Sequence, residues 1–275
     1  MKNIRIKSLI IGAAIVVGAL FSGCAAKIAG VSGGNIEDVT LEKGDLAAVI
    51  EIKDFGTIKA KLFPEAAPVG VENFQKLCES GYYKDKTIHR VMSGFMFQGG
   101  SLNGDGTGGD ALVNGGTFGV EKAENMRHFY GALCYANAGG KNTTQFYIVN
   151  NSKSDTFDTE LEYYKEQIKK CEELITSYQN DGVAEGVNYF TSYKNTFQNI
   201  VDKYGKFPEN VKALYNQRGG VPQLDGDYTV FGQVVEGFDV IDAVSAVEVS
   251  ENAAGEKSVP VKEIIISDIK ISTVE

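Results

Sequence analysis

Histidine and cysteine are scarce in this 275-residue chain, which has two of the first and four of the second. With only His89 and His128 present, no metal centre built on imidazoles is expected, and no cofactor is implied. Cys78, Cys134 and Cys171 are scattered without a CxxC spacing, which excludes a zinc site or a disulfide framework. Cys78 and Cys134 fall in apolar stretches and read as buried thiols, with a bridge between them as the lesser alternative. Basic charge is short as well. Once Lys2, Arg5 and Lys7 are set aside, 36 acidic residues face 24 basic ones, and this balance disfavours nucleic acid and anionic lipid as partners. The Gly104–Gly109 loop lacks the Lys-Ser/Thr of a phosphate cradle and reads as a mobile rim.

The N-terminus reads as a targeting segment. Lys2, Arg5 and Lys7 form a positive region, and Leu9 to Phe21 is apolar but short for a bilayer span. The run Leu20-Phe21-Ser22-Gly23-Cys24 resembles a bacterial lipobox, with Phe21 where an aliphatic residue is usual. The resemblance implies residues 1–23 as a signal peptide, cleavage before Cys24, and a lipoprotein carrying a diacylglyceryl thioether and palmitate-type chains on the extracytoplasmic face of the cell membrane. Two or three acyl chains anchor stably where one does not. An ordinary secretory signal with an incidental cysteine, or an uncleaved anchor, is the other reading. Residues 24–45, rich in small side chains, read as a tether.

Past the tether, Ala47–Ile52 and Thr57–Phe63 alternate as two strands of a hairpin, with Lys53–Gly56 as the turn. Val71, Phe74, Leu77 and Cys78 recur at helical spacing before Gly81. Short strands are predicted at 95–98, 132–135, 145–149 and 228–235, and a second helix at 238–247. In 262–272 the alternation slips near Ser267-Asp268, as a bulge would make it. Many short strands with two helices predict an antiparallel barrel. Between Ile148 and Leu224 lie about 75 residues of another kind. Leu161, Tyr164, Ile168, Cys171, Ile175 and Tyr178 form one helical seam, and Phe190, Tyr193, Phe197, Ile200 and Tyr204 a second. Asn180-Asp181-Gly182 turns between them, and a third short helix starts at Pro208. The expected insertion is 151–220, with hinge-like flanks at Asn150–Ser152 and Gly219-Gly220, separable from a domain formed by 46–150 and 221–275.

The stretch Thr87-Ile88-His89-Arg90-Val91-Met92-Ser93-Gly94-Phe95-Met96-Phe97-Gln98-Gly99-Gly100 places an arginine and a glutamine beside large apolar side chains. It closely resembles the signature of the cyclophilins, a family of peptidyl-prolyl isomerases. Tyr135-Ala136-Asn137-Ala138-Gly139, Gln145-Phe146-Tyr147 and Leu224-Asp225-Gly226 follow in the family's order. The resemblance implies a mainly β fold: a cyclophilin-like, eight-stranded antiparallel barrel capped by two helices, here with an α-helical insertion.

The implied chemistry needs no metal, nucleophile or cofactor. The X–Pro bond resists rotation by roughly 20 kcal/mol of resonance-derived barrier. At the twisted state the proline nitrogen pyramidalises and can accept a hydrogen bond from a fixed guanidinium. By resemblance Arg90 is that donor, Phe95 and Met96 line the proline pocket, Leu224 closes it, and Gln98 holds Arg90 and touches substrate backbone. Ala136, Asn137 and Gln145 match substrate contacts, and His89 matches a structural position. Tyr147 stands where phenylalanine is usual, Gln223 where cyclosporin-sensitive members have tryptophan, and Tyr228 where many have histidine. The expected function is isomerisation of Xaa-Pro bonds in exported, unfolded polypeptides, assisting their folding. The other reading is a proline-binding or chaperone module with little turnover, whose insertion is the working surface.

Overall fold

The computed structural model describes residues 39–275. Cys24 and most of the expected tether lie outside the described residues. The alternating segments form β1 (Leu46–Ile52) and β2 (Gly56–Leu62), followed by α1 (Pro68–Glu79). Pro68 starts α1 where its missing N–H costs nothing. No local side chain caps the helix; instead the Glu121 carboxylate accepts the N–H groups of Val69 at 2.9 Å and Gly70 at 2.8 Å. Next come β3 (Lys86–Met92), β4 (Met96–Gly99), the short β5 (Phe118–Gly119), β6 (Ala132–Ala138) and β7 (Lys141–Val149). After the helical segment, β8 (Val230–Glu236) is followed by a helix at Phe238–Ser245, a hairpin of β9 (Val249–Glu251) and β10 (Lys257–Pro260), and β11 (Ile265–Thr273).

The strands run in the order β4-β3-β11-β1-β2-β8-β6-β7, and β7 pairs back onto β4. Eight antiparallel strands thus close on themselves, leaving β5 as an extra strand beside β7. The expected bulge is present: Glu51 pairs with Asp268 but Ile52 pairs with Ile266, so Ser267 is the additional residue. This shift keeps both Ile266 and Ile269 buried in the lumen. The barrel interior is filled by Ile50, Ile58, Phe97, Phe146, Phe231 and their neighbours, with Phe74 of α1 closing one end. Cys78, Cys134 and Cys171 are all free thiols, so the Cys78–Cys134 bridge does not form.

Between β7 and β8 the chain forms α2 (Thr156–Asn180), α3 (Ala184–Gly205) and α4 (Glu209–Arg218); the Phe238–Ser245 helix is α5. Both predicted seams and the Asn180–Gly182 turn are there, with Gly182 at φ 69°. At 25 residues, α2 is about 37 Å long.

The flanks differ from the sequence expectation. Asn150 and Asn151 are buried, not hinge-like. Asn150 exchanges backbone and side-chain hydrogen bonds with Phe95, and the Asn151 amide donates to the Gly220 carbonyl at 2.8 Å. Composition suggested a loose joint, whereas the amide side chains satisfy backbone groups that the barrel buries. The base of the insertion is equally embedded: Phe129 of the barrel packs on Tyr215 of α4, ring centroids 4.5 Å apart, within a cluster that includes Phe157 and Tyr204.

Candidate active site

Strand register assembles the site. Arg90 on β3 lies opposite Gln98 on β4, Gln98 opposite Tyr147 on β7, and Tyr147 opposite Cys134 on β6. The four form one row across the outer face of the barrel, because side chains alternate with period two and their neighbours Phe97, Ile148 and Leu133 point inward. Beside the row, Met96, Tyr147, Cys134, Val149 and Val230 form a second apolar cluster, edged by Phe95, Ala136, Leu224 and Tyr228. The sequence-predicted pocket residues are therefore brought together, and Met92 and Met126, which the sequence reading did not single out, join them.

Arg90 is held by an unforeseen partner. Its Nε and Nη2 donate to the two carboxylate oxygens of Glu256, each at 2.7 Å, and Nη2 also lies 3.1 Å from the Met92 sulfur. Gln98 does not hold Arg90 here. Its amide donates to Gln145 Oε1 at 2.9 Å, and the Gln145 amide donates to the Gly106 carbonyl at 2.9 Å, tying the row to the glycine-rich rim. A carboxylate outcompetes a neutral amide for a guanidinium, since the pair is charge-assisted and two-pronged. The Arg90 hydrogen bonds in turn hold the Glu256 carboxyl below its ordinary range. Burial, and then the charge of Arg90, push His89 down to about 4, so it is neutral, with Nδ1 3.3 Å from the Ser101 hydroxyl.

Tyr147 packs its ring parallel to His128 at 6.2 Å and edge-on to Tyr228 at 6.0 Å. Among the described residues its buried hydroxyl has no oxygen or nitrogen hydrogen-bond partner and lies against the Cys134 thiol, a weak one. Asn137 donates to the Asp227 carbonyl at 3.0 Å. Gln223 and Leu224 sit on a 3-10 turn, Pro222–Leu224, which the insertion grips: Lys203 of α3 donates to the Gln223 carbonyl at 2.7 Å and pairs with Asp227 at 2.8 Å. Behind the turn, the buried Asp225 carboxylate accepts from the His128 backbone N–H at 2.9 Å and lies 2.8 Å from His128 Nδ1. Arg127 stands 3.4 Å from its other oxygen. Asp225 sat in the quoted Leu-Asp-Gly motif, but nothing local marked Glu256, His128 or Tyr215 as members of the site.

The arrangement offers a guanidinium beside an apolar cluster, with amides and backbone along the adjoining strands.

Comparison with known proteins agrees. The family described as cyclophilin type peptidyl-prolyl cis-trans isomerase/CLD matches residues 47–166 and 214–271, leaving out the later part of α2, all of α3 and the first half of α4. A Staphylococcus aureus (strain COL) relative bearing the name peptidyl-prolyl cis-trans isomerase is 31% identical over 232 residues, covering 84% of this chain and 94% of its own. A relative of the same name from Staphylococcus haemolyticus is 32% identical over 217 residues, 78% of this chain and 86% of its own. Among solved structures, a Cryptosporidium parvum cyclophilin type isomerase, crystallised in the presence of the dipeptide Ala-Pro, superposes with a TM-score of 0.52 at 23% identity. That match covers 82% of this chain and 98% of the other, and supports the fold. With its barrel, its row of site residues and these relatives, the chain belongs to the cyclophilin-type peptidyl-prolyl cis-trans isomerases.

Proposed function

We propose that this chain rotates Xaa-Pro bonds at the Arg90–Cys134 row, with Arg90 as the donor to the proline nitrogen. The carrying observation is that a guanidinium held along its Nε–Nη2 edge keeps Nη1 without a hydrogen-bond partner among the described residues, beside the Phe95–Met96–Tyr147 cluster. Substrate lies with its proline against Met96, Phe95 and Leu224, and its preceding backbone along Ala136 and Asn137. Gln98 and Gln145 present their paired amides to that backbone, while Gln223 and Tyr228 form the far edge. The planar ground states offer the nitrogen lone pair only through resonance. The twisted state frees it, so the Arg90 hydrogen bond strengthens as the barrier is climbed. A protease-coupled or NMR exchange assay tests this: Arg90→Ala should lose about 3–4 kcal/mol of transition-state stabilisation while remaining folded. A folded variant with wild-type turnover would sink the mechanism. The arginine in this row is what favours turnover over mere proline binding.

The working site is proposed to be the outer face of the cytoplasmic membrane, on exported polypeptides still folding, with Cys24 as the lipid-modified first residue. The support is the sequence alone: a basic start, a short apolar run and a lipobox-like exit. Fatty-acid labelling of whole cells should mark the wild-type protein and not Cys24→Ala; equal labelling would refute the anchor.

A further inference from the structure

We propose that Glu256 is a positioning residue for the isomerase, fixing the plane of the Arg90 guanidinium so that Nη1 is the donor presented to substrate. The inference rests on Arg90 being the donor. An arginine side chain on a strand is free about several bonds, and a partly exposed one seldom adopts a single geometry unaided. Here a bidentate contact takes Nε and Nη2 at 2.7 Å each, and the Met92 sulfur flanks the same Nη2. Only two planar contacts are needed to remove rotation of the group, and Arg–carboxylate forks supply both at once.

Glu256 is itself preorganised. It comes from the β9–β10 hairpin, 166 residues along the chain from Arg90. Asn252 at the hairpin tip holds it: the Asn252 side-chain oxygen accepts the Glu256 N–H at 2.9 Å, and the Asn252 N–H donates to the Glu256 carbonyl at 2.8 Å. Gly255, at φ 79°, makes the turn between them. β10 lies against β3, so the hairpin is braced on the strand that carries Arg90. The pair stands about one-third exposed on both sides, 32% and 30%, where an ion pair adds little to stability. Its consequence is therefore geometric. The carboxylate occupies the Nε–Nη2 edge and leaves Nη1 without a partner among the described residues, so the pair keeps one donor group available where a latch engaging all of them would not.

The experiment is NMR exchange spectroscopy on an Ala-Pro peptide, at enzyme concentrations that keep slow variants measurable. Four proteins join the wild type: Glu256→Gln, Glu256→Asp, Arg90→Ala and the Arg90→Ala/Glu256→Gln double variant. Misorienting the donor should lower kcat of Glu256→Gln by ~10- to 100-fold with KM nearly unchanged. Glu256→Asp, which keeps the charge on a shorter stem, should recover part of that loss. In the Arg90→Ala background, Glu256→Gln should have no further effect, and thermal midpoints should not move. Wild-type kcat in Glu256→Gln, an equal loss in both backgrounds, or a rise in kcat would each overturn the proposal, the last by making the pair a latch. Wild-type turnover in Arg90→Ala would instead remove the donor assignment itself.

Discussion

Tyr215 and Asp225 join the inserted helices to the catalytic barrel through one buried carboxylate. The Tyr215 hydroxyl lies 2.8 and 2.9 Å from the two oxygens of Asp225, and the His128 backbone N–H donates to that same hydroxyl at 3.0 Å. His128 stacks on Tyr147, so the contact reaches the apolar cluster beside Arg90 in two steps. Tyr215→Phe should lose a hydrogen bond to a charged group and be destabilised by about 1.5–3 kcal/mol in urea unfolding. An unchanged midpoint would show that Asp225 is satisfied without it.

The same contact changes what the insertion's removal should do. Sequence composition made 151–220 look separable, but Phe129 and Asp225 depend on Tyr215 for cover. Replacing residues 168–193 with a short Gly-Ser turn keeps Phe157, Tyr164, Phe197, Tyr204 and Tyr215, and this variant should fold and isomerise a tetrapeptide. Removing 153–218 should instead expose Phe129, worth about 1.5–3 kcal/mol, and leave Asp225 underpaired. Equal solubility and melting temperature of the two deletions would contradict this.

Tyr147→Phe should stabilise the protein. Its hydroxyl is buried without an oxygen or nitrogen partner among the described residues, and leaving such a group unpaired costs about 1–3 kcal/mol. With the Cys134 thiol offering weak compensation, a gain of about 1 kcal/mol in chemical denaturation is expected. A net loss would mean that the hydroxyl is satisfied in solution.

Glu160 predicts a pH dependence. Burial pushes its carboxyl up to about 7, against the opposing effect of the Tyr204 hydroxyl that donates to it at 2.5 Å. In the unfolded chain it titrates near 4.5, so between these values the folded state holds a proton that the unfolded state has released. Its contribution is present below pH 4.5 and is lost as the pH rises through 7. Relative to Glu160→Gln, which cannot ionise, the wild type should lose stability between pH 5 and 8. A difference that does not vary with pH would refute the assignment.

The barrel was legible because its signals are local: alternation in β1 and β2, the slipped repeat at Ser267-Asp268, and the Arg90–Gln98 motif. Both insertion seams were legible for the same reason. What escaped was set by distance or by ambiguity of side-chain chemistry. Glu256 is one acid among many until the fold carries it to Arg90. Asn150 and Asn151 carry the composition of a turn, yet their amides serve equally well to stitch buried backbone. Tyr215 lies on α4, a short helix with a weak apolar face, so no repeat announced its burial.

The position of β11 bears on how this protein reaches its own fold. The last strand sits between β1 and β3, and Leu46 pairs with Thr273 across nearly the whole chain. A polypeptide delivered N-terminus first therefore leaves one edge of β1 and of β3 open until β11 follows. Such long-range pairing slows folding and prolongs exposure of strand edges. The protein proposed to help other chains mature is thus itself a late closer, with its barrel unsealed until β11 is in place.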